Sequence, residues 1–373
     1  MYDAVIIGAG ASGLLAAIYA CNGKNRIAVL ERNNFPAKKL FATGNGHCNY
    51  LNTNAKHFEV LNNELGLLGI VGTEENTRMY PKNKEAASVV NVLVSRARNK
   101  GAEIICDFHA ADVMKTANGF KIRSKDDRII ESKMLVIASG GKAGIQYGCY
   151  GEGYRWVQSF GHNLVKPIPA LVGLDCEENT EMLHGVRVMG KVSLLKNGNE
   201  TASDIGEVQF IKDSVSGICV MNLSRYVRFD EDSAFELGID FFPELSSEDL
   251  KELLEKQKSL LGDSMESLIP KKLKEYIQAN CSFVDDSELL ASKLKDFRFS
   301  VRGTLGWNFA QVTSGGVSMN ELCDTYESKK VSGLFIVGEM TDYDGPCGGY
   351  NLSHAFWSGM CAGKAIAERG LDS

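Results

Sequence analysis

The chain has 373 residues, which is long enough for two domains or for one large domain with an insertion. It contains 38 glycines but only 7 prolines, which excludes collagen-like and low-complexity sequence and favours tight turns where the backbone closely approaches another group. The net charge of −6 argues against nucleic acid as a main partner, and none of the ten cysteines forms a C-x-x-C pair of the zinc or thioredoxin type.

The segment from Ala4 to Gly23 has no charged residue and has the texture of the apolar part of a secretion signal. Asp3 stands where such a signal would carry basic residues. No other run reaches 18 apolar residues, so we expect no association with a membrane. Scattered cysteines without a disulfide pattern suit a reducing compartment, and we expect a cytoplasmic protein with no metal site.

The first thirty residues carry a complete dinucleotide-binding pattern. The β-branched run Tyr2 to Ile7 predicts a buried strand, Leu14 to Ala20 a helix, and Arg26 to Leu30 a second strand. A G-x-G-x-x-G turn joins the first strand to the helix, and an acid that can accept both ribose hydroxyls follows the second strand. The helix start would supply N–H groups to a pyrophosphate. The predicted contacts are Gly8, Gly10, Ala11, Ser12, Gly13, Glu31 and Arg32. This pattern does not distinguish NAD from FAD.

A polar loop punctuated by glycine follows, from Thr43 to Asn49. Its composition is unlike that of a packing element, and it suits a loop that wraps an extended cofactor. We predict cofactor contacts from Lys39, Thr43, Gly44, Asn45 and Gly46.

The pattern of a buried strand followed by a glycine turn recurs near the C-terminus. Gly333 to Val337 predicts a buried strand, and a glycine turn then opens a long helix from Leu352 to Glu368. N–H groups at such a helix start can face the N1/O2 edge of a flavin and stabilise its anionic reduced form. The predicted contacts are Gly349, Tyr350, Asn351 and Leu352. Two distant segments that serve one ligand suit the long FAD molecule better than NAD.

The N-terminal fingerprint, KKLFATGNGHCN at 38–49 and GEMTDYDGPCGGYNLSHAFWSG at 338–359 together resemble the BaiN/aminoacetone oxidase family of FAD-binding flavoproteins. The resemblance implies a flavin domain interrupted by an inserted domain. It also implies that Ser139, Gly140 and Gly141 pass the adenosine end of FAD, and that Gly338 and Glu339 lie at its ribityl or pyrophosphate end. The family typically has glycine at position 45 and arginine at position 47, so this chain departs from the pattern at both.

We therefore predict an α/β fold, a doubly wound Rossmann-like FAD-binding domain with an inserted β-barrel-like plus helical domain. The FAD-binding domain is expected at 1–162 and 306–373, the β-rich insertion at 163–242 and a helical segment at 243–305. Short alternating segments with turns favour the barrel, and the amphipathic run 246–261, capped by Ser246 and Asp249, favours a helix. No second G-x-G-x-x-G occurs, so we expect NADH or NADPH to bind only transiently.

Few catalytic side chains are required, because a flavin would supply the hydride chemistry. We interpret His47 as a candidate proton donor, since an unperturbed histidine pKa of ~6.5 lies near operating pH. Cys48 is a candidate for the flavin face and Lys39 for an isoalloxazine oxygen. Each has a structural alternative: a hydrogen-bonded loop histidine, a buried packing cysteine and a solvated lysine. The remaining histidines are interpreted as structural or surface residues: His57, His109, His162, His184 and His354.

Three functions remain open on sequence alone. The resemblance implies a reductase in which NAD(P)H reduces FAD, which passes hydride to an activated C=C bond of a small hydrophobic molecule, including oxo-steroids of the bile-acid type. It also permits an oxidase that acts on a small amine such as aminoacetone and produces hydrogen peroxide. The third hypothesis is a non-catalytic flavin-binding redox or scaffold protein. The oligomeric state is left open.

Overall fold

The computed structural model describes residues 1–230 and 232–369. The chain divides into two compact units, Met1–Ile168 with Val312–Ser373 and Pro169–Gln311. The helices and strands up to the first boundary are β1 (Tyr2–Ile7), α1 (Ala11–Ala20), β2 (Ile27–Leu30), α2 (Lys38–Phe41), β3 (Leu51–Asn52), α3 (Phe58–Leu68), β4 (Gly72–Glu75), β5 (Arg78–Pro81), α4 (Ala86–Asn99), β6 (Glu103–Ile105), β7 (Ala110–Thr116), β8 (Gly119–Ser124), β9 (Ile129–Ile137), α5 (Glu152–Ser159) and β10 (Leu164–Ala170), which crosses it. The second unit contains β11 (Leu174–Cys176), β12 (Arg187–Lys196), β13 (Asn199–Ile211), β14 (Ser214–Ser216), α6 (Ile218–Ser224), β15 (Phe235–Asp240), α7 (Ser247–Leu261), α8 (Lys271–Asn280), α9 (Ser287–Lys295) and β16 (Phe297–Thr304). The chain then returns to the first unit with β17 (Val312–Val317), β18 (Leu334–Ile336) and α10 (Tyr350–Arg369).

Five parallel strands form the centre of the first unit, in the order β6-β2-β1-β9-β18. Ile7 pairs with Leu30 on one side and with Ile137 on the other, so three strand ends meet at one edge of the sheet. The β7–β8 hairpin extends the sheet antiparallel along the first half of β9. The central strands are apolar on both faces, as a parallel sheet covered on both sides requires.

The first and last long helices pack directly against each other. A β-carbon added at Gly359 of α10 would lie 2.1 Å from the carbonyl oxygen of Ser12, and one at Gly363 would lie 2.5 Å from that of Ala16. The two backbones can therefore approach this closely only because α10 presents glycine to α1. This contact joins the two ends of the chain in one core.

A small antiparallel sheet, β3-β5-β4, follows the glycine-rich loop. Its strands are two to four residues long, too short to show a period in the sequence. The carbonyl oxygen of Leu51 on β3 lies 2.4 Å from the position a β-carbon would take on Gly349. The sheet therefore lies against the start of α10.

Six antiparallel strands of the second unit close into a barrel in the order β11-β14-β13-β12-β15-β16, with β16 returning to β11. Phe210, Leu237 and Phe299 fill its interior and are fully buried. Three helices follow β15, and Ser246 and Asp249 form the predicted capping box at the start of α7. The segment 243–305 was expected to be helical, but its last residues form β16. The alternate burial of Phe297, Phe299 and Val301 fits a barrel strand.

The predicted fold class is confirmed: a Rossmann-like α/β sheet with an inserted antiparallel barrel and helices. The boundaries between the two compact units fall a few residues after the expected positions 163 and 306. Within the described chain, α1 to α10 include no helix whose length and apolar character would let it cross a bilayer.

A candidate dinucleotide site at the carboxyl edge of the sheet

The fingerprint turn lies directly after β1. Gly8 has a φ of +108°, and a β-carbon on Gly13 would lie 1.9 Å from the Gly8 carbonyl oxygen, so both positions require glycine. Gly10 caps α1 without a side-chain hydrogen bond, and no heavy atom lies within 4 Å of the β-carbon position there. The first N–H groups of α1 therefore have no side-chain acceptor and face open space. Such a helix start suits the binding of a pyrophosphate.

The acid after β2 is held against this turn. Glu31 is buried; one carboxylate oxygen accepts a 3.0 Å hydrogen bond from the Ala9 N–H, and the other accepts bonds from the backbone and side chain of Asn33 at 2.9 and 2.8 Å. The predicted ribose ligand thus sits next to the predicted pyrophosphate site.

Arg32 lies beside a polar cavity of about 220 Å³. Its guanidinium donates to the Gly148 carbonyl at 3.0 Å and to Glu152 at 2.5 Å, and it stacks 4.8 Å above the Tyr150 ring. His109, which the sequence left as a structural or surface residue, contacts both Arg32 and Glu152. The residues that line the cavity are Arg32, Asn33, Lys38, His109, Gln146, Gly148 and Tyr150.

Lys39 and Glu339 come together as an ion pair of 2.6 Å. Lys39 also donates to the Ala143 carbonyl at 3.0 Å, and the second oxygen of Glu339 accepts from the Thr313 N–H at 2.8 Å. Burial acts to lower the pKa of Lys39, but the nearby Glu339 carboxylate, together with Cys149 and Tyr147, outweighs burial and the pKa is raised. Lys39 is therefore charged and already engaged with two acceptors, which favours an orienting role over a solvated one.

The polar loop forms a short irregular turn in which Gly44 and Asn45 both have left-handed backbone angles. His47 is exposed, and its Nδ1 lies 2.9 Å from the Lys84 carbonyl oxygen. Cys48 is fully buried, and burial raises the pKa of its thiol to about 11. A neutral, inaccessible thiol fits the packing interpretation of Cys48, while the role of His47 stays a prediction. Thr43, the first residue of the turn, donates to the Leu40 carbonyl at 2.7 Å, and Gly46 is exposed.

The strand end after β9 lies against the fingerprint turn. A β-carbon on Gly8 would lie 2.3 Å from the Ala138 carbonyl oxygen, and one on Gly141 would lie 2.2 Å from the Thr313 hydroxyl. The Thr313 hydroxyl oxygen accepts hydrogen bonds from the backbone N–H groups of residues 142 and 143, at 2.8 and 3.1 Å. Ser139 donates to the Met340 sulfur at 3.3 Å, and Gly140 has a φ of +75°. Thr313, which the sequence did not single out, thus orients the predicted adenosine-end segment.

The start of α10 is fixed by its own side chains. The Asn351 carboxamide accepts from the Gly345 N–H at 2.8 Å and donates to the Gly345 carbonyl at 2.9 Å. Gly348 and Gly349 both have positive φ, and the Asn52 amide donates to the Gly348 carbonyl at 2.8 Å. Tyr350 and Leu352 are partly buried in the first turn.

His354, which the sequence left as a structural or surface residue, is partly buried and has a structural role. His354 Nε2 lies 2.8 Å from the Thr341 hydroxyl, which itself donates to the Gly338 carbonyl at 2.8 Å. Because the Thr341 hydroxyl proton is donated to the Gly338 carbonyl, the hydroxyl oxygen accepts the Nε2–H of His354. Its ring stacks on Tyr343 with centroids 4.1 Å apart, and burial lowers its pKa to about 4. In the sequence, His354 lies four residues after Tyr350. This spacing places both on one face of α10 and could have indicated that His354 lies near the predicted site.

The described residues fit an adenine dinucleotide. They offer an uncapped helix start with open space, a buried acid beside it, and a second glycine turn at the start of α10. The buried side-chain oxygen of Asn49, next to Gly349, has no hydrogen-bond partner among the residues that the structure describes. Together these groups would hold the phosphates, one ribose and the ring system of a long cofactor.

Comparison with known proteins agrees with this geometry. Residues 68–365 match the family model described as HI0933-like protein Rossmann domain. The 3-dehydro-bile acid delta(4,6)-reductase of Clostridium scindens is 33% identical, covering 98% of each chain. The ribosomal RNA dihydrouridine synthase of Escherichia coli is 27% identical, covering 99% of each.

Solved structures share the fold. A flavocytochrome c3 fumarate reductase superposes with a TM-score of 0.57 at 13% identity, covering all of this chain and 79% of that one. The 3-ketosteroid-delta4-(5alpha)-dehydrogenase of Rhodococcus jostii does so with 0.52 at 16% identity, covering 98% and 96%.

The fold, the site and the full-length relatives define a flavoprotein, an FAD-dependent oxidoreductase with a Rossmann-type domain. More particularly, the chain belongs to the HI0933-like family. The predicted family, the enzyme class and FAD are thereby confirmed.

Proposed function

We propose that this protein uses NADH or NADPH to reduce a C=C bond conjugated with a carbonyl group in a small hydrophobic, steroid-like molecule. The observation that carries the proposal is the 33% identity over 98% of both chains to a protein named as a 3-dehydro-bile acid delta(4,6)-reductase. A 3-oxo steroid with such double bonds is a conjugated enone. The two relatives named as ribosomal RNA dihydrouridine synthases act, by that name, on uridine, whose ring C=C bond is also conjugated with a carbonyl.

Charge favours the small molecule over RNA. The chain has 41 basic and 47 acidic residues, whereas a protein that binds an RNA backbone needs an excess of basic surface. Several basic side chains of the barrel are also engaged with acids, among them Arg187 with Glu207 and Arg302 with Asp175. These pairs leave fewer free cations for phosphates.

When bound, FAD would supply the hydride chemistry between a reduced nicotinamide and the acceptor carbon. The chain's own residues bind and orient. Glu31 would hold the ribose, and the uncapped start of α1 the pyrophosphate. Lys39 holds Glu339 in place through their 2.6 Å ion pair, and the start of α10 would present N–H groups where negative charge develops. His47, which is exposed beside the loop, is the candidate that returns a proton to the product.

Anaerobic mixing tests the proposal. The FAD-loaded protein is combined with NADH or NADPH, and then separately with a 3-oxo-Δ4,6 steroid, an rRNA fragment that contains uridine, or aminoacetone. We expect the nicotinamide to bleach the flavin and only the steroid to restore its colour anaerobically. Restoration by RNA and not by the steroid would overturn the substrate class. Reduction by aminoacetone with peroxide formed in air, without reduction by nicotinamide, would favour the oxidase.

A further inference from the structure

Among the residues that the structure describes, Arg78 is a cation without a hydrogen-bond or ion-pair partner. It lies on β5, the central strand of the small sheet, directly opposite Asn52 on β3 and Glu75 on β4. The residue is partly buried, and among the arginines of the described chain it alone combines this with no hydrogen bond, ion pair or ring contact. A guanidinium has five donors and is always charged, so covering it without an acceptor is costly.

The neighbouring groups are already engaged. The Glu75 carboxylate pairs with the Lys84 ammonium at 2.6 Å. The Asn52 carboxamide donates to the Gly348 carbonyl at 2.8 Å and accepts the Asn54 N–H at 2.9 Å. Nothing on the sheet therefore neutralises Arg78, whose charge remains available to another molecule.

The available groups converge on the glycine turn that opens α10. The position of a β-carbon on Gly348 lies 3.4 Å from the Arg78 Nε, and that on Gly349 lies 2.8 Å from the buried, unpartnered side-chain oxygen of Asn49. Two groups without hydrogen-bond partners thus lie next to this turn, the Arg78 guanidinium as a donor and the Asn49 side-chain oxygen as an acceptor. Helix α10 is 20 residues long, so its first N–H groups add positive potential at the same place.

We propose that Arg78 is a cofactor-binding residue that donates to the N1/C2 carbonyl edge of the FAD pyrimidine ring and thereby favours the reduced cofactor. That ring edge offers carbonyl oxygens beside an N–H group, the complement of an arginine donor and an amide acceptor. Negative charge increases at this edge on reduction, so a fixed cation stabilises the reduced form more than the oxidised form. The inference rests on FAD binding and is independent of the enone substrate.

The test compares R78Q, which removes the charge, R78K, which keeps it, and R98Q, a control at the exposed Arg98 on the last turn of α4. FAD content, the midpoint potential of the bound flavin and the Kd for sulfite, which adds to electron-poor flavins, are measured on each holoprotein. None of these readouts involves nicotinamide or substrate, so failure here is distinct from failure of the proposed reductase.

We expect R78Q to bind sulfite about tenfold or more weakly and to have a lower midpoint potential, because one charge-assisted hydrogen bond is lost. R78K should keep most of the sulfite affinity and R98Q all of it. Unchanged sulfite affinity and potential in an R78Q protein with full FAD content would overturn the proposal, as would equal losses in R78K and R78Q. A rise in KM confined to carboxylate-bearing steroids, at unchanged potential, would overturn it in favour of a substrate anion.

Discussion

Lys39 and Glu339 lie 300 residues apart in the sequence and form a 2.6 Å ion pair between the segment after β2 and the turn after β18. Both side chains are mostly covered, with 26% and 20% of their surface exposed. The pair therefore connects the N-terminal and C-terminal parts of the discontinuous first unit beside the predicted cofactor.

Removing one member of this pair should destabilise the protein. We expect K39M or E339Q to lower the free energy of unfolding by about 1–3 kcal/mol, because the remaining charge is left covered without its partner. The double variant should lose less than the sum of the two. Chemical denaturation of all three checks this. The exposed pair of Arg187 and Glu207, with 59% and 50% of their side-chain surface exposed, provides the control, and E207Q should change stability by less than about 0.5 kcal/mol. If the losses in unfolding free energy of K39M and E339Q simply added up in the double variant, the two side chains would not stabilise each other.

The Cys48 thiol should be unreactive in the native protein. Burial raises its pKa to about 11 and leaves no exposed surface, whereas Cys323 is exposed. Alkylation at pH 8 followed by mass spectrometry should modify Cys323 rapidly and Cys48 only after unfolding. We also expect C48A to keep turnover. Fast native labelling of Cys48, or loss of turnover in a C48A protein that binds FAD normally, would revive its catalytic candidacy.

His354 should make the protein less stable in mild acid. Its pKa in the folded state is lowered to about 4, below the ~6.5 of an unfolded histidine, so the unfolded state binds more protons between these values. Its contribution is present above pH ~6.5, is lost progressively as the pH falls, and is smaller by about 3 kcal/mol at pH 4. Denaturation curves at pH 7, 5.5 and 4.5 should show a shallower decline for H354N than for the wild type. Equal declines would exclude this role for His354.

Two glycine-to-alanine changes should act in opposite directions. G359A places a β-carbon 2.1 Å from the Ser12 carbonyl oxygen, and we expect a loss of about 2 kcal/mol or more as α1 and α10 separate. G66A, inside α3 with open space around it, should gain about 0.5–1 kcal/mol because alanine restricts the unfolded chain. Thermal unfolding measures both. A tolerated G359A would show that the close helix contact is not required.

The sequence predicted the parts of the fold whose signals are local. β1, α1 and β2 were found because a buried run, a glycine turn and an acid occur in a fixed order. β3, β4 and β5 were missed because strands of two to four residues carry no period, and α3 and α9 were passed over. The predicted helical segment 243–305 includes β16, although the alternation of Phe297, Phe299 and Val301 is typical of a strand.

The candidate site shows the same limit. Lys39 and Glu339 were both predicted as cofactor contacts, but no local pattern reveals that residues 300 positions apart form an ion pair. Thr313 and Arg78 carry no local sequence signal, since their contacts depend on the backbone of other segments. His354 lay inside a recognised motif, yet its burial follows from the packing of Tyr343 and Thr341 upon it.

The proposed reduction of a conjugated C=C bond is tested most directly by a single anaerobic turnover. The FAD-loaded protein is reduced by NADH or NADPH and mixed with a 3-oxo-Δ4,6 steroid, and the product is identified by mass. We predict reoxidation of the flavin in step with a steroid product that has gained two hydrogen atoms. A flavin that stays reduced and a steroid recovered unchanged would contradict the account.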